Sequence, residues 1–198
     1  MAITAVDVKK LRDQTGAGMM AAKNALEETQ GDFDKAIELL RLKGVAGAVK
    51  KADREANNGL IEAYVHGGKI GVLVEVNCET DFVARTDDFK GFVHDLALHI
   101  AAANPIYLDS DSVPGEAIEK EKAIYAEEVK ASGKPAEYVE KIIEGKLNKF
   151  YQASCLMQQS FIKDPDQTIE VLVKSLIAKV GENIVVRRFE RMELGVKN

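Results

Sequence analysis

The 198-residue chain has no tryptophan, only four prolines and two cysteines, and no long apolar run. Two thiols, Cys78 and Cys155, cannot build the disulfide framework that holds small secreted domains together. The opening residues read MAITAVDVKK, without the basic start and apolar core of a secretory leader. No stretch reaches the roughly 18 apolar residues of a membrane-spanning helix. Basic charge does not dominate either. The 27 Lys and Arg stand against 32 Asp and Glu for a net charge of −5, which argues against a protein that coats nucleic acid. Also missing are GxxxxGK[ST], GxSxG, HExxH and CxxC, so the usual patterns of phosphate cradling, nucleophilic attack and metal ligation have no carrier. These absences lead us to expect a cytoplasmic protein that is not an enzyme and holds no cofactor or metal.

What is present is 46% hydrophobic and 30% charged sequence, a globular composition long enough for one ordinary domain or two or three small ones. Residues 1–44 carry three helix signals separated by glycines. Thr4 is placed to cap a helix over Ala5–Thr15, with Ile3 and Val8 at the spacing of a hydrophobic staple and Gly16 as the stop. A second helix spans Met19–Thr29. Asp32 caps a third, in which Phe33, Ala36, Ile37 and Leu40 share one face and Gly44 is the expected stop. A unit this small buries little apolar surface and suits a recognition module attached to something larger. Residues 45–58 read as a linker with some helical tendency, locally basic at Lys50, Lys51 and Arg54. No aromatic side chain is interleaved there for base stacking.

At Gly59 the period changes from helix to strand. Segments at about 60–65 and 70–78 flank His66-Gly67-Gly68-Lys69, whose glycines can take the positive φ of a tight hairpin. Val72, Val74, Val76 and Cys78 share one face of the second strand, so Cys78 reads as a small core residue. A long helix follows from about Asp87 to Asn104-Pro105. His94 and His99 lie on it five residues apart, on different faces, and do not form a metal pair. Two charged helices at about 115–150, broken by Ser132-Gly133-Lys134-Pro135, should fold back as a projecting antiparallel hairpin. A helix at about 168–180 and a strand at 184–192 complete the chain. The expected class is α+β. It comprises a three-helix module (1–44), a linker (45–58) and a core domain (59–198) whose small three-stranded antiparallel sheet comes from about 60–78 and 184–192. The strands are too few for a doubly wound nucleotide-binding fold.

Few segments carry chemistry. Thr15-Gly16-Ala17-Gly18 lacks the lysine and hydroxyl that follow the glycines of a phosphate loop, and a helix-to-helix turn accounts for it. Met19 and Met20 open a helix where at most one can face a three-helix core; either the other is adaptable binding surface or both are packed. Thr80-Asp81-Phe82-Val83 places a carboxylate and a ring at a strand-to-helix turn. There they either meet a partner, or Phe82 plugs the end of the core and Asp81 caps a turn.

Several runs together closely resemble the bacterial-type elongation factor Ts family, in its short form. They are Leu11-Arg12 with Thr15 to Met20, Asn77-Cys78-Glu79-Thr80-Asp81-Phe82-Val83, Gly133-Lys134-Pro135, Glu144-Gly145-Lys146, Lys149-Phe150, Val180-Gly181-Glu182-Asn183 and Arg187-Arg188. The resemblance covers essentially the whole chain in order. It implies a guanine-nucleotide exchange factor that binds the GDP form of elongation factor Tu. It implies a helical module similar to a ubiquitin-associated domain, docking on the partner's GTPase domain through Arg12, Met19, Met20 and Lys23. It also implies that Thr80, Asp81, Phe82 and Val83 intrude beside the partner's magnesium site. No bond is made or broken, and no direct nucleotide, nucleic-acid or membrane binding is expected. Long members of the family have two similar core subdomains where this chain has one, so a homodimer through the core or the helical hairpin is expected. The competing reading, built on the basic linker and the methionine pair, is a ribosome- or RNA-associated binding module without exchange activity.

Overall fold

Polar side chains set the starts of two of the three N-terminal helices in the computed structural model, which describes residues 3–131 and 136–196. Thr4 accepts the Asp7 N–H while the Asp7 carboxylate accepts the Thr4 N–H, a capping box that begins α1 (Ala5–Thr15). Gly16 ends it at φ +68°. Helix α2 spans Met19–Glu28, and Asp32 caps α3 (Phe33–Val49) by accepting the Lys35 N–H at 3.1 Å. Val8, Leu11, Ala22, Ala25, Leu26 and Ala36 form the core of this helical module, with Ile3 and Phe33 packed against it. The alanines let the three helices approach closely.

The third helix differs from expectation. It runs through Gly44 to Val49, because Gly44 is not a stop. A Cβ there would stand 3.2 Å from the Cβ of Ala178, on α8 (Ile169–Val180), so the glycine permits two helices to touch. Beyond it, residues 50–57 form turns and irregular chain with Ala56 buried.

Strand β1 (Asn58–His66) turns tightly into β2 (Ile70–Cys78). Gly67 and Gly68 sit at φ +56° and +69°, and the Lys69 N–H donates to the His66 carbonyl at 3.0 Å. With β5 (Ile184–Glu193) they form a small antiparallel sheet in the order β1-β2-β5, the α+β arrangement expected. The remaining elements are a one-turn helix α4 (Asp81–Ala84), α5 (Asp87–Ala103), α6 (Gly115–Ala131) and α7 (Ala136–Ser154), then a 3-10 turn at Leu156–Gln158 and a ribbon of β3 (Ser160–Phe161) and β4 (Asp164–Thr168). The ribbon is an addition to the expected elements, because KDPDQT offers no apolar alternation to mark a strand.

The chain forms two compact units. The first comprises Met1–Ile61, Glu75–Val93 and Val171–Arg187, and the second Glu62–Val74, His94–Glu170 and Arg188–Asn198. In the first, Val76, Cys78, Phe89, Val93, Val173, Leu176, Ile177, Ile184 and Val186 are buried. In the second, α6 and α7 pack along each other with Val129 and Leu147 buried. Ser132-Gly133-Lys134-Pro135, read as the break between those helices, lies outside the described residues.

The second unit also encloses His99, whose Nε2 meets Gln159 Oε1 at 3.0 Å and whose Nδ1 accepts the Ile162 N–H at 3.4 Å. That pattern places the single imidazole proton on Nε2. Burial holds the His99 pKa below the usual histidine range, partly opposed by the bond to Gln159. His94 lies apart on an exposed face, bonded to Glu62 at 2.9 Å. Among the described residues no group of three or more His, Cys, Asp or Glu could hold a metal ion, and no helix is long and apolar enough to cross a membrane.

Candidate functional site

Strand β2 delivers its last residue, Cys78, fully into the core, and the chain then turns outward. Cys78 Sγ donates to the Thr80 carbonyl at 3.1 Å. Burial, followed by the negative charge of Glu182, pushes its thiol pKa up, so Cys78 is a packed residue and not a reactive one. Cys155, too, is free and buried, with its thiol pushed up by burial.

Thr80, extended at φ −127° and ψ 156°, caps α4, its hydroxyl accepting the Val83 N–H at 3.5 Å. Successive residues of a helix point about 100° apart. Val83 therefore turns inward, 9% exposed, while Phe82 turns out. At 80%, Phe82 is the most exposed large apolar side chain among the described residues. Leaving a phenylalanine in water forgoes roughly 1.5–3 kcal/mol of burial. The reading in which Phe82 plugs the end of the core is thus corrected: Val83 fills that place. Nor is Asp81 the cap. It stands in the first helical turn and pairs with Arg85 at 2.7 Å, with both groups largely in solvent.

The base of this outward turn is held by groups to which sequence reasoning assigned no role at this site. Glu182, in the turn after α8, accepts the Thr80 N–H at 3.0 Å and the Thr80 hydroxyl at 2.6 Å. The Glu79 carboxylate accepts the Asn183 N–H at 2.6 Å and lies 3.4 Å from the Arg54 guanidinium. Buried Asn183 donates in turn to the carbonyls of Ala52 and Arg54, at 3.2 and 2.8 Å. The basic segment is thereby tied into the first unit, and Arg54 has a carboxylate partner. Val180-Gly181-Glu182-Asn183 contributed to the family resemblance without a role; the Glu182 side chain and the Asn183 backbone N–H fasten the Glu79-Thr80 segment, while the Asn183 side chain holds residues 52–54.

The second predicted group lies in the same unit. Met19 is 47% exposed and Met20 66%, so neither faces the module core, whose α2 positions are taken by Ala22, Ala25 and Leu26. Arg12 and Lys23 are half in solvent, beside Asp13 at 3.9 Å and Glu27 at 3.6 Å. Exposed pairs of this kind are weak, leaving both cations available to a partner. Near the end of α8, Lys179 lies against the turn that precedes Met19. A Cβ on Gly16 would stand 3.1 Å from the Lys179 side chain, and the Lys179 amine pairs with Asp88 at 2.6 Å at the start of α5. Exposed methionines, a projecting ring and a carboxylate thus stand in solvent on the first unit.

The chain matches known proteins along nearly its whole length. The pattern of the family described as Elongation factor TS matches residues 4–176. The chain is 59% identical over 196 residues to the Elongation factor Ts of Fervidobacterium nodosum, covering 98% of this chain and 100% of that one. It is 57% identical over 196 residues to the Elongation factor Ts of Citrifermentans bemidjiense, covering 98% and 91%. To that of Caldanaerobacter subterraneus it is 56% identical over 194 residues, covering 98% and 97%.

Proposed function

The chain belongs to the elongation factor Ts family of translation elongation factors, and on that premise we propose that it binds the GDP form of elongation factor Tu and promotes GDP release. The single observation that supports this most is the exposed Phe82 ring beside the Asp81 carboxylate on one helical turn. A protein-bound guanine nucleotide is held largely through its phosphates, by phosphate-loop amides and magnesium. A ring pressed between elements near that site displaces the groups that organise the metal. Asp81 adds negative charge and acceptors that compete for them.

Arg12, Met19, Met20 and Lys23 dock the helical module of residues 1–44 on the partner's GTPase domain, and Thr80 to Val83 carry the displacing action. Exchange on this route makes and breaks no covalent bond, so the factor acts by binding and not as an enzyme. It prefers the nucleotide-free partner, and by linkage GDP binds the complex worse in the same proportion, which allows GTP to load. With one strand-hairpin-plus-helix unit where long family members have two similar core subdomains, the chain completes the partner-facing surface as a homodimer. Light scattering at micromolar concentration that found an active monomer would remove the dimer from this proposal.

The test of the function is release of labelled GDP from elongation factor Tu with and without the chain. Accelerated release is expected. Unchanged release together with salt-sensitive RNA binding would favour the ribosome- or RNA-associated reading instead.

A further inference from the structure

We propose that Glu182 is a positioning residue that sets the presentation of Phe82. The inference rests on the exchange reading above and assigns that site a part outside the segment expected to touch the partner. Thr80 is the last residue before α4, and both of its hydrogen-bond donors, the backbone N–H and the hydroxyl, end on the two oxygens of one carboxylate, at 3.0 and 2.6 Å. A carboxylate accepts only. It therefore commits the Thr80 hydroxyl proton toward Glu182 and leaves that oxygen's lone pairs facing the Val83 N–H, which is the cap that begins the helix. A four-residue helix cannot sustain itself by its own hydrogen bonding. Its orientation is set by this cap together with the buried Val83, and Phe82 with 80% of its surface in water has no packing of its own to fix it.

The clamp has a rigid mount. Asn183 beside Glu182 is buried and bonded to Glu79 and to the carbonyls of Ala52 and Arg54. Charge-assisted bonds of this kind define geometry, and a small misplacement of a group that must enter a partner costs rate more than docking affinity.

The experiment compares wild type, Glu182→Ala and the near-isosteric Glu182→Gln in catalysed GDP release from elongation factor Tu. In parallel, Phe82→Trp is made with and without each change; the chain has no tryptophan, so the indole at position 82 alone then reports by fluorescence anisotropy. For folded Glu182→Ala we expect maximal release to fall roughly tenfold, with half-saturation within about twofold of wild type. The indole anisotropy should fall with the same change. Glu182→Gln, which puts a donor where an acceptor is needed, should lie between. Maximal release within twofold of wild type in folded Glu182→Ala, or unchanged indole anisotropy in that variant, overturns the assignment. If wild type itself does not accelerate release, the exchange reading fails, and the anisotropy arm alone decides whether Glu182 orders residue 82.

Discussion

A Cβ on Gly44 would stand 3.2 Å from the Cβ of Ala178, inside ordinary van der Waals contact. Here α3 and α8 meet backbone to side chain, and this contact, with Lys179 lying against Gly16, supports the helical module within the first unit. Gly44→Val should therefore lower stability by about 2 kcal/mol through overpacking, despite a small relief from losing a helical glycine. Gly145 lies inside α7 with nothing within 4 Å of an added Cβ, so Gly145→Ala should instead stabilise by about 0.5–1 kcal/mol. Urea unfolding of both variants checks the opposite signs.

His99 gives the fold a pH dependence whose direction follows from burial. Its folded pKa is depressed, so the native imidazole stays neutral while the unfolded chain takes up a proton. The stability this contributes is fully present above the unfolded value of about 6.5, and it is lost as pH falls below that toward the folded pKa. His99→Gln keeps a donor toward Gln159 and an acceptor toward the Ile162 N–H but cannot titrate. Between about pH 7 and about pH 5.5, wild type should lose on the order of 1 kcal/mol more than His99→Gln in urea unfolding. Equal losses would show that His99 carries none of the effect.

Met20 separates docking from displacement. With 66% of its surface exposed, Met20→Ala should leave stability within about 0.5 kcal/mol of wild type. If it docks the module, half-saturation in GDP release should rise by about tenfold while maximal release is unchanged. Titrating elongation factor Tu against both proteins reads the two quantities separately.

Much of this is legible in the chain because local chemistry decides it. Thr4 and Asp32 cap, Gly67-Gly68 turns, and Val72, Val74, Val76 and Cys78 alternate, so helices, hairpin and fold class follow from short-range rules. Gly44 misleads because a helical glycine looks the same whether it ends a helix or admits a neighbour, and Ala178 lies far away in sequence. Glu182 cannot be paired with Thr80 for the same reason: a contact across 102 positions leaves no local period. Phe82 poses the opposite difficulty. Its place at a turn is visible, but whether it faces core or solvent depends on Val83 taking the inward position.

The exposed ring is the centre of the proposed mechanism, and Phe82→Ala tests it most directly. Because Phe82 is 80% in solvent, the substitution should leave the fold intact, as far-UV circular dichroism and urea unfolding will show. Labelled GDP release from elongation factor Tu at saturating factor should then fall by about tenfold or more against wild type. Release by folded Phe82→Ala as fast as by wild type would contradict the mechanism.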